Sequence, residues 1–195
     1  MFNNFKSSIN ESIKIKKNLL RKQNFLKVKK IIEIMYECIL KNNKIYICGN
    51  GGSAADAQHL STEFLVRLNP TINRPAFPII DLASNSTFLT AVGNDIGFDN
   101  IFKRNLEAMA CPNDLLITLT TSGNSKNIYK VLKYASKKKI KSICFLGKDG
   151  GKCKGLANHE LIIKSKNVAR IQEAHMFLGH YILNEVEKKL LSIIK

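Results

Sequence analysis

Short uninterrupted apolar runs alternate along this chain with stretches in which apolar residues recur at helical spacing. In the first 43 residues Ile13, Leu19, Leu20, Phe25, Leu26, Val28, Ile31, Ile32, Met35, Ile39 and Leu40 follow mixed helical intervals, and Asn42-Asn43 ends the segment. Beyond it the pattern predicts strands over 45–48, 76–82, 114–119, 142–146 and 161–163. The second lies behind Pro70 and Pro75 and carries an irregularity at Pro78. Helices are predicted over 53–68, 87–92, 100–110, 125–136 and, at the end of the chain, 168–194. A β-α-β-α order implies a parallel sheet covered on both faces, with ligands at the carboxyl ends of its strands. The chain reads as a helical arm (1–43) and one α/β domain (44–195) with a long C-terminal helix. The long helices at both ends are surplus to a five-strand core and are expected to bury their apolar faces against other subunits.

Two of the apolar runs end in unusual turns. Ile45-Tyr-Ile-Cys-Gly-Asn-Gly-Gly-Ser53 ends in glycines, and Leu115-Leu-Ile-Thr-Leu-Thr-Thr-Ser-Gly-Asn-Ser125 ends in hydroxyls. Both read as a buried strand feeding a tight turn and then a helix. Backbone N–H groups at a helix N-terminus, joined by small hydroxyl donors, form an anion site. The first turn has neither the G-x-G-x-x-G spacing of a dinucleotide fold nor the Gly-Lys-Ser/Thr of a P-loop. In the second, Thr120, Thr121, Ser122 and Ser125 surround one glycine, whereas helix capping requires only one of them. Both loops fall at strand carboxyl ends, so they can share one crevice. A ligand with a phosphate at one end and polar groups along its length suits them.

Composition narrows the picture. A chain of 195 residues with 45% hydrophobic residues suffices for one compact domain with a full core. No run approaches the ~20 apolar residues of a membrane span, and the N-terminus lacks a signal-peptide core. The five cysteines are scattered and form no C-x-x-C pair, so they read as reduced, mostly buried residues of a cytoplasmic protein. The formal net charge is +16, but it is mostly lysine, with arginine only at positions 21, 67, 74, 104 and 170. Sequence-reading nucleic-acid binders favour arginine. The reading is therefore of a protein that binds neither nucleic acid nor membrane.

Candidate chemistry lies on two helices. His59 and Glu63 stand one turn apart on the helix after the glycine loop, on one face. The terminal helix carries Gln172, Glu173, His175 and His180, in a chain with four histidines. Each histidine alone has an ordinary structural reading; the combination points to acid–base or metal chemistry.

Four stretches resemble the phosphoheptose isomerases of the sugar isomerase (SIS) family. They are Gly49-Asn-Gly-Gly-Ser-Ala-Ala-Asp-Ala-Gln-His-Leu-Ser-Thr-Glu63, Thr90-Ala-Val-Gly-Asn-Asp95, Thr120-Thr-Ser-Gly-Asn-Ser125 and Ala169-Arg-Ile-Gln-Glu-Ala-His175. The resemblance covers almost the whole chain, with the motifs in family order. It implies a three-layer SIS domain and a homotetramer with active sites at subunit interfaces. It implies substrate contacts from Asn50, Gly51, Gly52, Ser53, Glu63, Asn94, Asp95, Thr120, Thr121, Ser122, Ser125 and Gln172, the four hydroxyl residues holding phosphate. Thr120 stands where serine is usual. Some members bind zinc, and the matching ligands are His59, Glu63, Gln172 and His180. Gln172 and His180 are ~12 Å apart along a helix axis, so one ion is stretched between them.

The reaction so implied is aldose–ketose isomerisation of sedoheptulose 7-phosphate to D-glycero-D-manno-heptose 7-phosphate, the first step toward ADP-heptose and the lipopolysaccharide core. Glu63 and His180 are the expected acid–base pair. The alternative is a non-catalytic SIS adaptor that binds the bacterial replication initiator and has asparagine at the place of His180. A sugar-phosphate-sensing regulator would need a DNA-binding domain for which this length leaves no room.

Overall fold

The computed structural model describes residues 1–193; the last residue of the predicted terminal helix, Ile194, lies outside them. Five strands, β1 (Ile45–Gly49), β2 (Ile79–Asp81), β3 (Leu115–Thr120), β4 (Lys141–Gly147) and β5 (His159–Ile163), form one sheet. Its order is β2-β1-β3-β4-β5, and every pairing is parallel. The strands are buried on both faces, which is why β1 and β3 read as continuous apolar runs.

Alternate residues of each strand serve opposite layers. Ile45, Ile47, Ile117, Leu119 and Phe145 pack with α2 (Lys22–Leu40), α3 (Gly52–Leu65) and α7 (Val168–Leu191). Tyr46, Cys48, Leu116, Cys144 and Leu146 pack with α4 (Ser86–Asp95), α5 (Ile101–Met109) and α6 (Lys126–Lys137). The result is the expected three-layer α/β architecture with a five-stranded parallel sheet. Burial pushes the thiols of Cys38 and Cys153 up to about 12 and about 11, and those of Cys48 and Cys144 well above the ordinary range. These four are core residues with no thiolate to offer.

The first 43 residues divide. α1 (Phe2–Leu19) ends at Leu20, and Arg21 turns extended before α2 begins. α2 buries Val28, Ile31, Ile34, Met35 and Cys38 in the core. α1 buries no residue fully: Ile15 and Leu19 pack half-buried against the core, while Phe2 (73% exposed), Phe5, Ile9, Ile13 and, just past its end, Leu20 (81%) face solvent. Polar contacts hold α1 to the start of α7: Ser12 Oγ donates to Glu173 Oε1 at 2.7 Å, and Arg170 donates to Ser8 Oγ at 2.8 Å.

Candidate active site

The glycine loop joins β1 to α3. Gly51 has φ 55°, a conformation that favours glycine. A Cβ on Gly49 would lie 2.4 Å from the Ser53 carbonyl oxygen, so the turn is too tight for a side chain there. On Gly52 a Cβ would meet the Gln172 Nε2 at 2.1 Å. The Gln172 amide therefore rests directly on the first residue of α3. Ser53 is buried, and its backbone N–H donates to the Asn50 carbonyl at 3.0 Å.

The hydroxyl loop joins β3 to α6, and its four hydroxyls divide into two kinds. Thr120 is buried and its Oγ1 accepts from the Gly123 N–H at 3.2 Å; Ser122 Oγ accepts from the Asn124 N–H at 3.1 Å. Both lock the turn. Thr121 and Ser125 are half-buried and have no side-chain hydrogen bond among the described residues. Ser125 stands at the N-cap of α6 with no side-chain cap hydrogen bond, at the positive pole of that helix, where Asn127 Oδ1 accepts from the Ile128 N–H.

Asn127 was not singled out in the sequence. Its buried amide exchanges two hydrogen bonds with Asn50, both at 2.8 Å, and ties one loop to the other. The Asn50 side chain is thus a strut between loops, while its carbonyl is held by the Ser53 N–H. The only sequence signal for Asn127 was an amide in the first turn of a helix. The start of α7 crosses this region: a Cβ on Gly147, the last residue of β4, would meet both the Thr121 carbonyl and Ile171.

Two turns further along α3 and α7 lie His59, Glu63 and His180, the expected acid–base residues. Gly179 admits Leu60 so closely that a Cβ would fall 2.5 Å from it, which brings the helices together. His59 Nε2 and His180 Nε2 are 2.9 Å apart, edge to face, and His59 Nε2 is 3.7 Å from Glu63 Oε1. One proton shared between the two imidazoles satisfies that contact. Burial lowers the His180 pKa, the nearby His59 lowers it further, and the Glu63 carboxylate opposes both. Burial raises the pKa of Asp56, one turn before His59, above its ordinary value, against the pull of His59.

The remaining expected residues fall elsewhere. Asn94 donates to Asp95 at 2.8 Å at the exposed end of α4, and no hydrogen bond joins either to the two loops among the described residues. His175 lies in the core, where its Nε2–H donates to the Leu146 carbonyl at 3.2 Å and burial drives its pKa down to about 4. It is structural.

For a metal, the donor chemistry of His59, Glu63 and His180 suits zinc in a three-ligand site with an open position. Two nitrogens on one tetrahedral zinc stand about 3.3 Å apart, so the histidine pair would open by a few tenths of an ångström. Among the described residues no three His, Cys, Asp or Glu side chains form a ready cage, and Gln172 rests two turns away on Gly52.

A glycine turn and a hydroxyl-rich turn at strand carboxyl ends of a parallel sheet, with His59, Glu63 and His180 two helical turns away, are the arrangement expected of an α/β enzyme that takes a phosphorylated ligand. The SIS domain family matches residues 9–147. The phosphoheptose isomerase of Clostridium acetobutylicum is 40% identical over 97% of this chain and 96% of its own length. That of Chlorobium phaeobacteroides is 48% identical over 75% of this chain and 66% of its own. A solved phosphoheptose isomerase from Francisella tularensis superimposes with a TM-score of 0.90 at 30% identity, over 96% of this chain and 98% of that one. The chain belongs to the SIS domain family and is an isomerase.

Proposed function

We propose that this isomerase converts sedoheptulose 7-phosphate to D-glycero-D-manno-heptose 7-phosphate and so opens the route to ADP-heptose and the lipopolysaccharide core. The single observation that supports it most is the spacing of two chemistries along α3 and α7. Free hydroxyls and a helix N-terminus lie at one end, with Gln172 between, and His59, Glu63 and His180 at the other. The ~12 Å between Gln172 and His180 suits an extended sugar phosphate better than a single ion. The relatives named above are phosphoheptose isomerases, which favours the heptose substrate over other sugar phosphates.

In this reading Thr121, Ser125 and the α6 N-terminus hold the phosphate, with Thr120 and Ser122 fixing the loop around it. Gly51 and Gly52 present backbone N–H groups and Gln172 presents its amide; Asn94 and Asp95, at the exposed end of α4, stand apart from both loops and would have to reach the sugar from there. The reaction moves a proton between C1 and C2 through an enediol. Glu63 takes the carbon-bound proton and, once its carboxyl has exchanged with solvent, delivers a proton to the neighbouring carbon. His180, neutral at pH 7, exchanges a proton with the sugar oxygens, and His59 sets its tautomer through the shared Nε2 contact. His59, Glu63 and His180 would hold a zinc ion, with Gln172 reaching toward it only by leaning along α7. When bound, zinc supplies charge to steady the developing oxyanion.

The working form is a homotetramer. The unpartnered apolar row of α1, together with exposed Phe177 and Tyr181 on the outer face of α7, supports subunit contact beside the site. Retention of both Glu63 and His180 favours the enzyme over the adaptor. Incubation of the purified protein with sedoheptulose 7-phosphate, followed by NMR, tests the reading. The expected result is the growth of aldose heptose phosphate signals. An unchanged ketose would overturn it.

A further inference from the structure

The connection from α3 to β2 carries Arg74, whose side chain is wholly buried. Its Nε donates to Glu187 Oε2 at 2.5 Å. One terminal nitrogen donates to the Glu63 carbonyl at 3.2 Å, and the other to the Pro75 carbonyl at 2.9 Å. The guanidinium lies 4.5 Å from the Phe77 ring centroid and 5.7 Å from that of Phe64. Glu63 belongs to the last turn of α3, where carbonyls lack an intrahelical donor, so Arg74 caps that end and its charge matches the helix pole. Glu187 lies two turns beyond His180 on the same face of α7. One cation therefore grips the backbone of Glu63 and, through Glu187, the helix that carries His180.

We propose that Arg74 and Glu187 are positioning residues for the isomerisation, a clamp that fixes the Glu63 carboxylate against the His59–His180 pair. This rests on the proposed roles of Glu63 and His180. The packing of Leu60 on Gly179 sets how near α3 and α7 approach, but apolar contact resists axial sliding weakly. A slip along the axes would move Glu63 and His180 apart. The fork of hydrogen bonds from Arg74 resists that slip. The phosphate-binding loops lie at the opposite end of both helices, so the clamp acts on turnover and leaves substrate affinity alone.

A purely stabilising ion pair behaves differently. Replacing both members of a buried pair by apolar side chains is often neutral for stability, whereas removing one strands a charge. The double variant Arg74→Met/Glu187→Leu is therefore expected to melt near the wild-type temperature and to keep KM and the calorimetric affinity for sedoheptulose 7-phosphate. Its kcat is expected to fall by about tenfold or more, in line with the ~10²-fold penalty of a 1 Å misplacement. Arg74→Lys, which keeps the charge but cannot hold Glu187 and the Glu63 carbonyl in one plane, is expected to lose kcat in the same way. A folded double variant with wild-type kcat, or a loss confined to KM, would overturn the proposal. If the double variant does not fold, Arg74→Lys decides, and wild-type kcat in it overturns the clamp. A wild-type protein inert toward the sugar phosphate would instead defeat the functional reading, and the clamp with it.

Discussion

Gly52→Ala separates the site from the fold. The added Cβ would lie 2.1 Å from Gln172 Nε2, where ordinary contact begins at 3.4 Å, so the amide must retreat by over an ångström. The atom in the way is the tip of a flexible side chain, and Gly52 has no left-handed backbone to strain. Alanine in a helix is favoured over glycine by about 0.5–1 kcal/mol, so the melting temperature should hold or rise slightly. If Gln172 bonds the sugar as proposed, its displacement loses a hydrogen bond of about 0.5–1.5 kcal/mol, or roughly a two- to tenfold rise in KM. Gly49→Ala is the contrast: its Cβ would strike the Ser53 backbone at 2.4 Å, which cannot swing away, so that variant should lose stability. Thermal melts beside steady-state kinetics read both. An unchanged KM in Gly52→Ala would mean that Gln172 does not touch substrate. A melting temperature several degrees lower would make its amide a structural pin.

Ser125→Ala should raise KM with little change in kcat, since a hydroxyl on an unreacting phosphate gives uniform binding of about 1.5–3 kcal/mol; wild-type phosphate affinity by calorimetry would place the anion elsewhere. His180→Asn should give a folded oligomer that binds sugar phosphate and does not isomerise it, because an amide cannot cycle a proton near neutral pH; retained turnover would move the acid to another group. His175, with a folded pKa of about 4 against an ordinary 6.5, binds its proton in the unfolded chain first. Its contribution is therefore whole above pH ~6.5 and falls by up to about 3 kcal/mol toward pH ~4. His175→Met should flatten that part of the stability profile, as chemical denaturation across this range would show; an unaltered slope would contradict the burial argument.

The strands were legible because parallel strands buried on both faces leave solid apolar runs, and the two loops because glycines and hydroxyls crowd at the strand ends. β2 is shorter than its apolar pattern, Ile79–Asp81, since Pro75 and Pro78 precede it and proline cannot donate to a ladder. The break between α1 and α2 at Leu20–Arg21 carries neither glycine nor proline, so periodicity ran through it. At the site, residue types were legible but their directions were not. Thr120 and Ser122 read as phosphate ligands; their oxygens accept backbone N–H groups of their own turn, a second task that leaves each O–H to donate. Arg74 gave no signal at all, because Glu187 lies 113 residues away and only the fold brings the two together.

The central claim, that Glu63 moves the proton between C1 and C2, is tested most directly by isomerisation in deuterated water with wild type and Glu63→Gln side by side. Wild type should convert the ketose with solvent deuterium entering at C2. The amide variant should still titrate with sedoheptulose 7-phosphate in the calorimeter and turn over about 10²–10⁴-fold more slowly. Near wild-type turnover in folded Glu63→Gln would contradict the assignment.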